Sequence, residues 1–419
     1  MIIQKIFKII LLYLIIYSLI SPTIISATDF TTTPDASSDT LYVIITIDTE
    51  GFYGKHPLKN MIWGEVDNSG MQYGIPMIMD ICDKHGVKAT FFVDVYEYRL
   101  QGEEKMKNVC KYIKDRGFDA QLHTHPAVRP DPVKRPKVTK GMYNYDPHCW
   151  NKERMRDYDL ENQSAILEEG KELLMKWIGE EPVAHRAGGY AANYDTLQAL
   201  KENSIFVDSS MFYLHPHCDL NYPVLTHNKV VKYQNVIEVP VSVFERIRYL
   251  EVGSLRIKVG EDISKVDIDW NSLDELKTSL EAFKQHKVRT VTLFLHSYTF
   301  VKWDSDFSQF SIDQEDIEKF DQILDEIEKN PRIRVITMKE FYDLYQKDPK
   351  IFEGSDYIPE ITVYDSYWQV MRKAINAAPE SIKADIFIST NLVIYGVCTY
   401  LVMFGIKRYR RKYRRGKKA

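Results

Sequence analysis

A chain of 419 residues that is 44% hydrophobic and 12% aromatic can bury a large core, which excludes global disorder. The formal net charge is -4, but nine basic residues and no acidic one fall within Lys407 to Lys418, so the body is more acidic than the total suggests. An acidic body excludes nucleic-acid binding as the main task, because that needs basic surface to neutralise phosphate.

The chain opens with Lys5 and Lys8 ahead of the apolar run IILLYLIIYSLI (9–20), with Ile25 and Ala27 as a loose cleavage signal. Residues 1–27 therefore read as a signal peptide or signal anchor, and 28–40 as a polar linker. From 41 to 345, strand-like runs alternate with amphipathic helical stretches, the pattern of an α/β body with parallel strands. Strands are predicted at 41–47, 88–94, 118–123, 181–187, 205–210, 236–242, 290–296 and 333–338. Helices are predicted at 71–85, 103–116, 160–178, 193–202, 272–286 and 313–329. Asn193 stands where a helix N-cap would, and Gly86 and Gly117 where left-handed C-caps would. Two stretches, 126–159 and much of 211–289, are too long for plain connections and are expected to border a cleft or carry structure of their own.

Residues 346–385 read as a stem. IFISTNLVIYGVCTYLVMFGI (386–406) is 21 residues without a charge, the length needed to cross a hydrocarbon core of about 30 Å. The basic segment 407–419 follows at once, and positive charge beside a span stays cytoplasmic. The expectation is a single-pass membrane protein, with the lipid bilayer as partner and residues 28–385 outside the cytoplasm. Of five cysteines, Cys398 lies in that span, while Cys82, Cys110, Cys149 and Cys218 lie where disulfides persist. They form no CxxC pair, and three pairings stay open.

In α/β folds with parallel strands, reactive side chains gather at the C-terminal strand ends. The polar residues there are Asp48 and Glu50 in TIDTEG, His123 and His125 in QLHTHP, His185 and Arg186 in EPVAHRAGGY, Asp208 to Ser210, and His296 in LFLHS. Residues two apart on an extended chain share one side, so His123 and His125 can face a single ion, as can Asp48 and Glu50. Two histidines and a carboxylate with an open position form a hydrolytic zinc arrangement. A second carboxylate can then take a proton from water, and a histidine from another strand can protonate the leaving group. Trp63, Tyr190, Tyr145 and Trp150 are candidates for stacking on a sugar ring. His215 and His217 repeat the HxH pattern inside the second long stretch, where they read as a surface or lining feature.

IITIDTEG, VKATFFVD, QLHTHP, HRAGGYAAN and LFLHSY together resemble the ordered motifs of the polysaccharide deacetylase family, the NodB-homology domain of carbohydrate esterase family 4, over roughly 41–345. The resemblance implies a distorted (β/α)7 barrel and a divalent metal ion, usually zinc, serving removal of acetyl groups from N-acetylated sugars of a polysaccharide or glycan. It makes Asp48 the catalytic base, Arg186 its orienting arginine, His296 the general acid and His123 the first ligand histidine. Thr49 stands where the family's usual second aspartate would be, and Ala127 where its second ligand histidine would be. His125 is therefore expected as second ligand, as in HxHP members, with Glu50 or Asp48 as the carboxylate; Glu50 is the ligand expected here. Tyr190, Trp63 and Asp208 complete the site as substrate-binding candidates. Two other classes stay open: a membrane-anchored carbohydrate-binding protein on an inactive copy of this fold, and a metal-independent glycoside hydrolase using two carboxylates.

Overall fold

A computed structural model of the chain describes residues 40–51, 62–64, 70–127, 152–220, 226–252, 255–303 and 310–366. The proposed signal segment, the 386–406 span, the basic tail, Tyr145, Trp150, Cys149 and Cys398 lie outside them. Among the described residues no helix is long and apolar enough to cross a membrane.

The expected alternation is present. The strands are β1 (Leu41–Thr49), β2 (Thr90–Asp94), β3 (Asp119–Thr124), β4 (Ala184–Ala187), β5 (Val207–Asp208), β6 (Val231–Tyr233), β7 (Val236–Glu238), β8 (Val243–Val252), β9 (Leu255–Lys265) and β10 (Thr290–His296). Between them run helices α1 (Ile75–Lys84), α2 (Glu103–Asp115), α3 (Leu160–Ile178), α4 (Tyr194–Glu202) and α5 (Leu273–Gln285). Asn193 caps α4 by accepting from the Thr196 amide, and Gly86 and Gly117 take positive φ after α1 and α2.

The main sheet runs β10-β1-β2-β3-β4-β5-β7-β6, and every pairing up to β7 is parallel. The seven parallel strands of this path curl into a half-barrel, and Ile333–Val335 pairs in parallel with β1 off the path. The gap between its ends is bridged by side chains: the Ser242 amide donates to Thr292 Oγ1 (2.8 Å) and the Thr292 amide to Ser242 Oγ (3.0 Å).

Strand parity sorts the core into two parts. Val43, Ile45 and Ile47 of β1 join the large cluster with the helices. Ile44 joins Phe92, Ala184, Val207 and Ile237 in a second cluster inside the curl. That inner cluster is closed by Met338 and Phe341 of a helix, α7 (Met338–Lys347), and by Phe352 just beyond it. The connection preceding α7 is β11 (Val301–Trp303), β12 (Phe310–Ile312), α6 (Gln314–Glu328) and β13 (Ile333–Val335).

Three features depart from expectation. The strand predicted over 333–338 ends at Val335, because Thr337 caps α7 with a capping box. The long stretch after 211 contains the hairpin β8–β9, whose alternation was hidden by charged residues on its wet face. The start of the segment read as a stem is part of the fold: Phe352 is buried, and β14 (Glu360–Ser366) pairs in parallel with β8. Large-to-small changes at such a plug leave a cavity, so Phe352→Ala is expected to lower stability by about 3–5 kcal/mol in denaturant unfolding. A free stem would lose almost nothing.

Candidate active site

The ladder register brings the strand-end residues together. Asp48 lies beside His296 across β1 and β10, and His123 lies beside Asp94 on one flank and Arg186 on the other. Arg186 is fully buried and donates Nη1–H to Asp48 Oδ1 (2.8 Å) and Thr46 Oγ1 (3.1 Å). Its Nε and Nη2 donate to the carbonyl and hydroxyl of Ser209, and its plane lies over Phe92. Burial alone would raise the Asp48 carboxyl, but Arg186, helped by His123 and His296, holds it below the usual carboxylate range.

His123 Nδ1 lies 2.9 Å from the Arg186 carbonyl, which can only accept, so the proton sits on Nδ1 and Nε2 presents a lone pair. That lone pair faces Glu50 Oε2 at 3.3 Å, and both atoms are buried without a hydrogen-bond partner. Two acceptors pointed at each other repel unless a cation lies between them. His125 Nε2 approaches the same Glu50 oxygen at 2.7 Å. Ligand atoms of Glu50, His123 and His125 all lie within 4.8 Å of one another, so this donor set fits a divalent cation of the zinc class. Burial would raise Glu50, yet the two imidazoles hold it well below its usual range; burial would lower His125, yet Glu50 pushes it up to about 9. Asp94 and Glu97 stand close behind and are raised, chiefly by burial.

The His125 ring rests on the backbone of Gly188. A Cβ there would lie 2.5 Å from the imidazole, which is why the turn after Arg186 needs glycine. His296 completes the site: its Nδ1 faces Asp269 Oδ2 (3.4 Å), its Nε2 faces Glu50 Oε1 (3.8 Å), and its ring stacks on Tyr298. Burial would lower this imidazole, but Asp269 brings it above its usual value.

The structure thus gathers Asp48, Glu50, His123, His125, Arg186 and His296. A substrate-binding role for Asp208 is corrected: it is 0% exposed and faces the helical layer, where it lies 2.8 Å from His185 Nδ1 and accepts from Ser210. Trp63 packs edge-on against Tyr112 of α2. Tyr190 is 8% exposed, and its hydroxyl accepts from Lys265 Nζ (2.9 Å). Asp269 was missed, although Asp267 and Asp269 repeat the two-apart spacing of Asp48 and Glu50. They follow no recognisable strand, so nothing in the local pattern marked them.

A polysaccharide deacetylase family model matches residues 58–205. Over that segment the chain is similar to the polysaccharide deacetylase family. Among solved structures, a candidate polysaccharide deacetylase from Mycobacterium smegmatis is 16% identical, with a TM-score of 0.46 over 80% of this chain and 99% of its own. A peptidoglycan deacetylase from Bacillus subtilis is 11% identical, with a TM-score of 0.34 over 75% and 96%. A CE4 family pseudoenzyme from Bacillus anthracis is 11% identical, with a TM-score of 0.34 over 72% and 66%. No curated protein matches the chain. Gly188→Ala is expected to displace the His125 ring and lower the affinity of the Glu50, His123 and His125 set for an added divalent cation by about tenfold or more in calorimetric titration, with the fold retained by circular dichroism.

Proposed function

We propose that this domain is a metal-dependent hydrolase that removes N-acetyl groups from a sugar of a cell-surface or extracellular polysaccharide. The observation that carries the reading is the pair of facing acceptors, Glu50 Oε2 and His123 Nε2, set between an ionised Asp48 and the His296–Asp269 pair. Glu50, His123 and His125 would hold the cation, which when bound polarises an acyl carbonyl and makes a water more acidic.

The protein's own groups account for the proton movements. Arg186 occupies Asp48 Oδ1, leaving Oδ2, 3.8 Å from His123 Nε2, to take the proton of the attacking water. As the amide C–N bond breaks, His296 delivers the proton from Nε2 to the departing amine. Its other nitrogen is held by Asp269, which favours the charged imidazolium and fixes the ring. Acetate and a free amine result.

For location, the uncharged run 386–406 followed by a basic tail supports a membrane anchor with the domain outside the cytoplasm.

Acetate release from N-acetylated glycans, with and without chelator, tests the whole reading. Asp48→Asn should keep the cation and lose turnover by about 100-fold or more. Full activity in that variant, or activity indifferent to chelator, refutes the mechanism. Chain cleavage without acetate release would point to a glycoside hydrolase, and glycan binding without either to an inactive relative. Asp269→Asn should also move the alkaline limb of the pH–rate profile to lower pH. Removing a carboxylate that raises His296 lowers the imidazole pKa, so the acid form is lost earlier as pH rises.

A further inference from the structure

Glu50 lies one residue past the end of β1, so no strand ladder fixes it, and side chains from two other elements take the ladder's place. Ser297 Oγ donates to the Glu50 carbonyl (3.0 Å), and Glu97 Oε1 accepts from the next amide, that of Gly51 (2.8 Å). These bonds clamp the backbone on both sides of Glu50 but do not set the direction of its carboxyl. The two carboxyl oxygens have different surroundings. Oε2 faces His123 Nε2 (3.3 Å) and His125 Nε2 (2.7 Å), whereas Oε1 accepts from the Tyr298 hydroxyl (3.4 Å), with His296 Nε2 3.8 Å away. A carboxylate that turns freely loses that freedom when a cation binds, which weakens the affinity; a donor on one oxygen removes the freedom beforehand.

Tyr298 is fixed by a tight turn. β10 ends at His296, and the chain reverses at once: the Thr299 amide donates to the His296 carbonyl (3.2 Å), the Val301 amide to the Tyr298 carbonyl (3.0 Å), and the His296 amide to Thr299 Oγ1 (2.9 Å). Phe300, fully buried, pins the turn to the core. The turn lays the half-buried Tyr298 ring on the His296 imidazole, with centroids 4.6 Å apart and planes 14° from parallel. Phe294 meets the same imidazole edge-on at 4.8 Å. Asp269, at 3.4 Å from Nδ1, sets the direction in which the imidazole points, but a contact at one ring nitrogen leaves its tilt open. A flat neighbour fixes the tilt. One side chain thus touches both halves of the site, with its ring on the acid and its hydroxyl on the carboxylate of the cation-binding set.

We propose that Tyr298 is a positioning residue with two separable tasks: its hydroxyl holds Glu50 Oε1, so that Oε2 is presented together with the His123 and His125 nitrogens, and its ring keeps the His296 imidazole aligned for proton delivery. The first task rests on the cation-binding donor set alone, and the second rests on the deacetylase reading.

The test uses the full-length protein, freed of metal and titrated with zinc by calorimetry, then assayed for acetate release from an N-acetylglucosamine tetrasaccharide at rising zinc. Tyr298→Phe keeps the ring and removes the hydroxyl, so its zinc affinity should fall about tenfold, and added zinc should bring back most of the turnover it loses. Tyr298→Leu removes both, so it should lose as much zinc affinity and, with zinc saturating, keep a kcat lowered about tenfold at unaltered KM. Wild-type zinc affinity in Tyr298→Phe overturns the first task and leaves the donor set standing. Full recovery of Tyr298→Leu by zinc overturns the second. Absence of zinc uptake by the wild type overturns the donor set and the first task with it. Weakened zinc binding in Tyr298→Phe, without acetate release from any of the three proteins, supports the first task and refutes the deacetylase reading.

Discussion

A guanidinium with no exposure to water organises this domain. Arg186 leaves β4 and binds β1 through Asp48 and Thr46 and the end of β5 through Ser209, while Phe92 of β2 covers its face. Stripping water from such a group costs several kcal/mol, which only a full set of hydrogen bonds and a nearby carboxylate can offset. Here Nε, Nη1 and Nη2 all donate. The consequence runs in both directions: the strand ends are tied in one arrangement, and Asp48 is kept ionised inside the protein. Because the Arg186 carbonyl also faces His123 Nδ1, the same residue sets the tautomer that turns the other imidazole nitrogen toward Glu50.

Around that anchor, burial acts on four acids with different results. Asp94 and Glu97 are raised, because burial, reinforced by the like charge of Glu50, outweighs His125 and the amide donors around them. Asp48 and Glu50 are lowered, because each has cationic partners close by. The division separates carboxyls that support the site from those that can accept a proton or a cation. The other strongly buried acid pair, Asp208 and Glu238, lies on the far side of the sheet against the helices, which keeps its chemistry apart from the cleft.

Much of this was legible in the chain. Strand alternation located every strand whose end carries a site residue, and two-residue spacing put Asp48 with Glu50 and His123 with His125. It failed where pattern and position part company. Asp208 shares the strand-end location of the others but has the opposite parity, so it points to the helices. Its parity was readable, since Val207 is an inner-core residue and Ser209 meets Arg186, but the direction of the curl was needed to make use of it. Asp269 sits on a connection without periodicity, and only folding brings it to the site.

The sequence by itself determined the α/β class, the strand ends that carry chemistry, and the identity of the two histidines and two carboxylates, because side-chain alternation on an extended chain is a local property. Tertiary structure decided the rest: that Glu50 rather than Asp48 sits between the imidazoles, that Asp269 supports His296, that glycine must lie under His125, and that residues as late as Phe352 and β14 belong to the fold. These depend on how the strands are registered and curled, and on contacts between residues far apart in the chain, which no local spacing specifies.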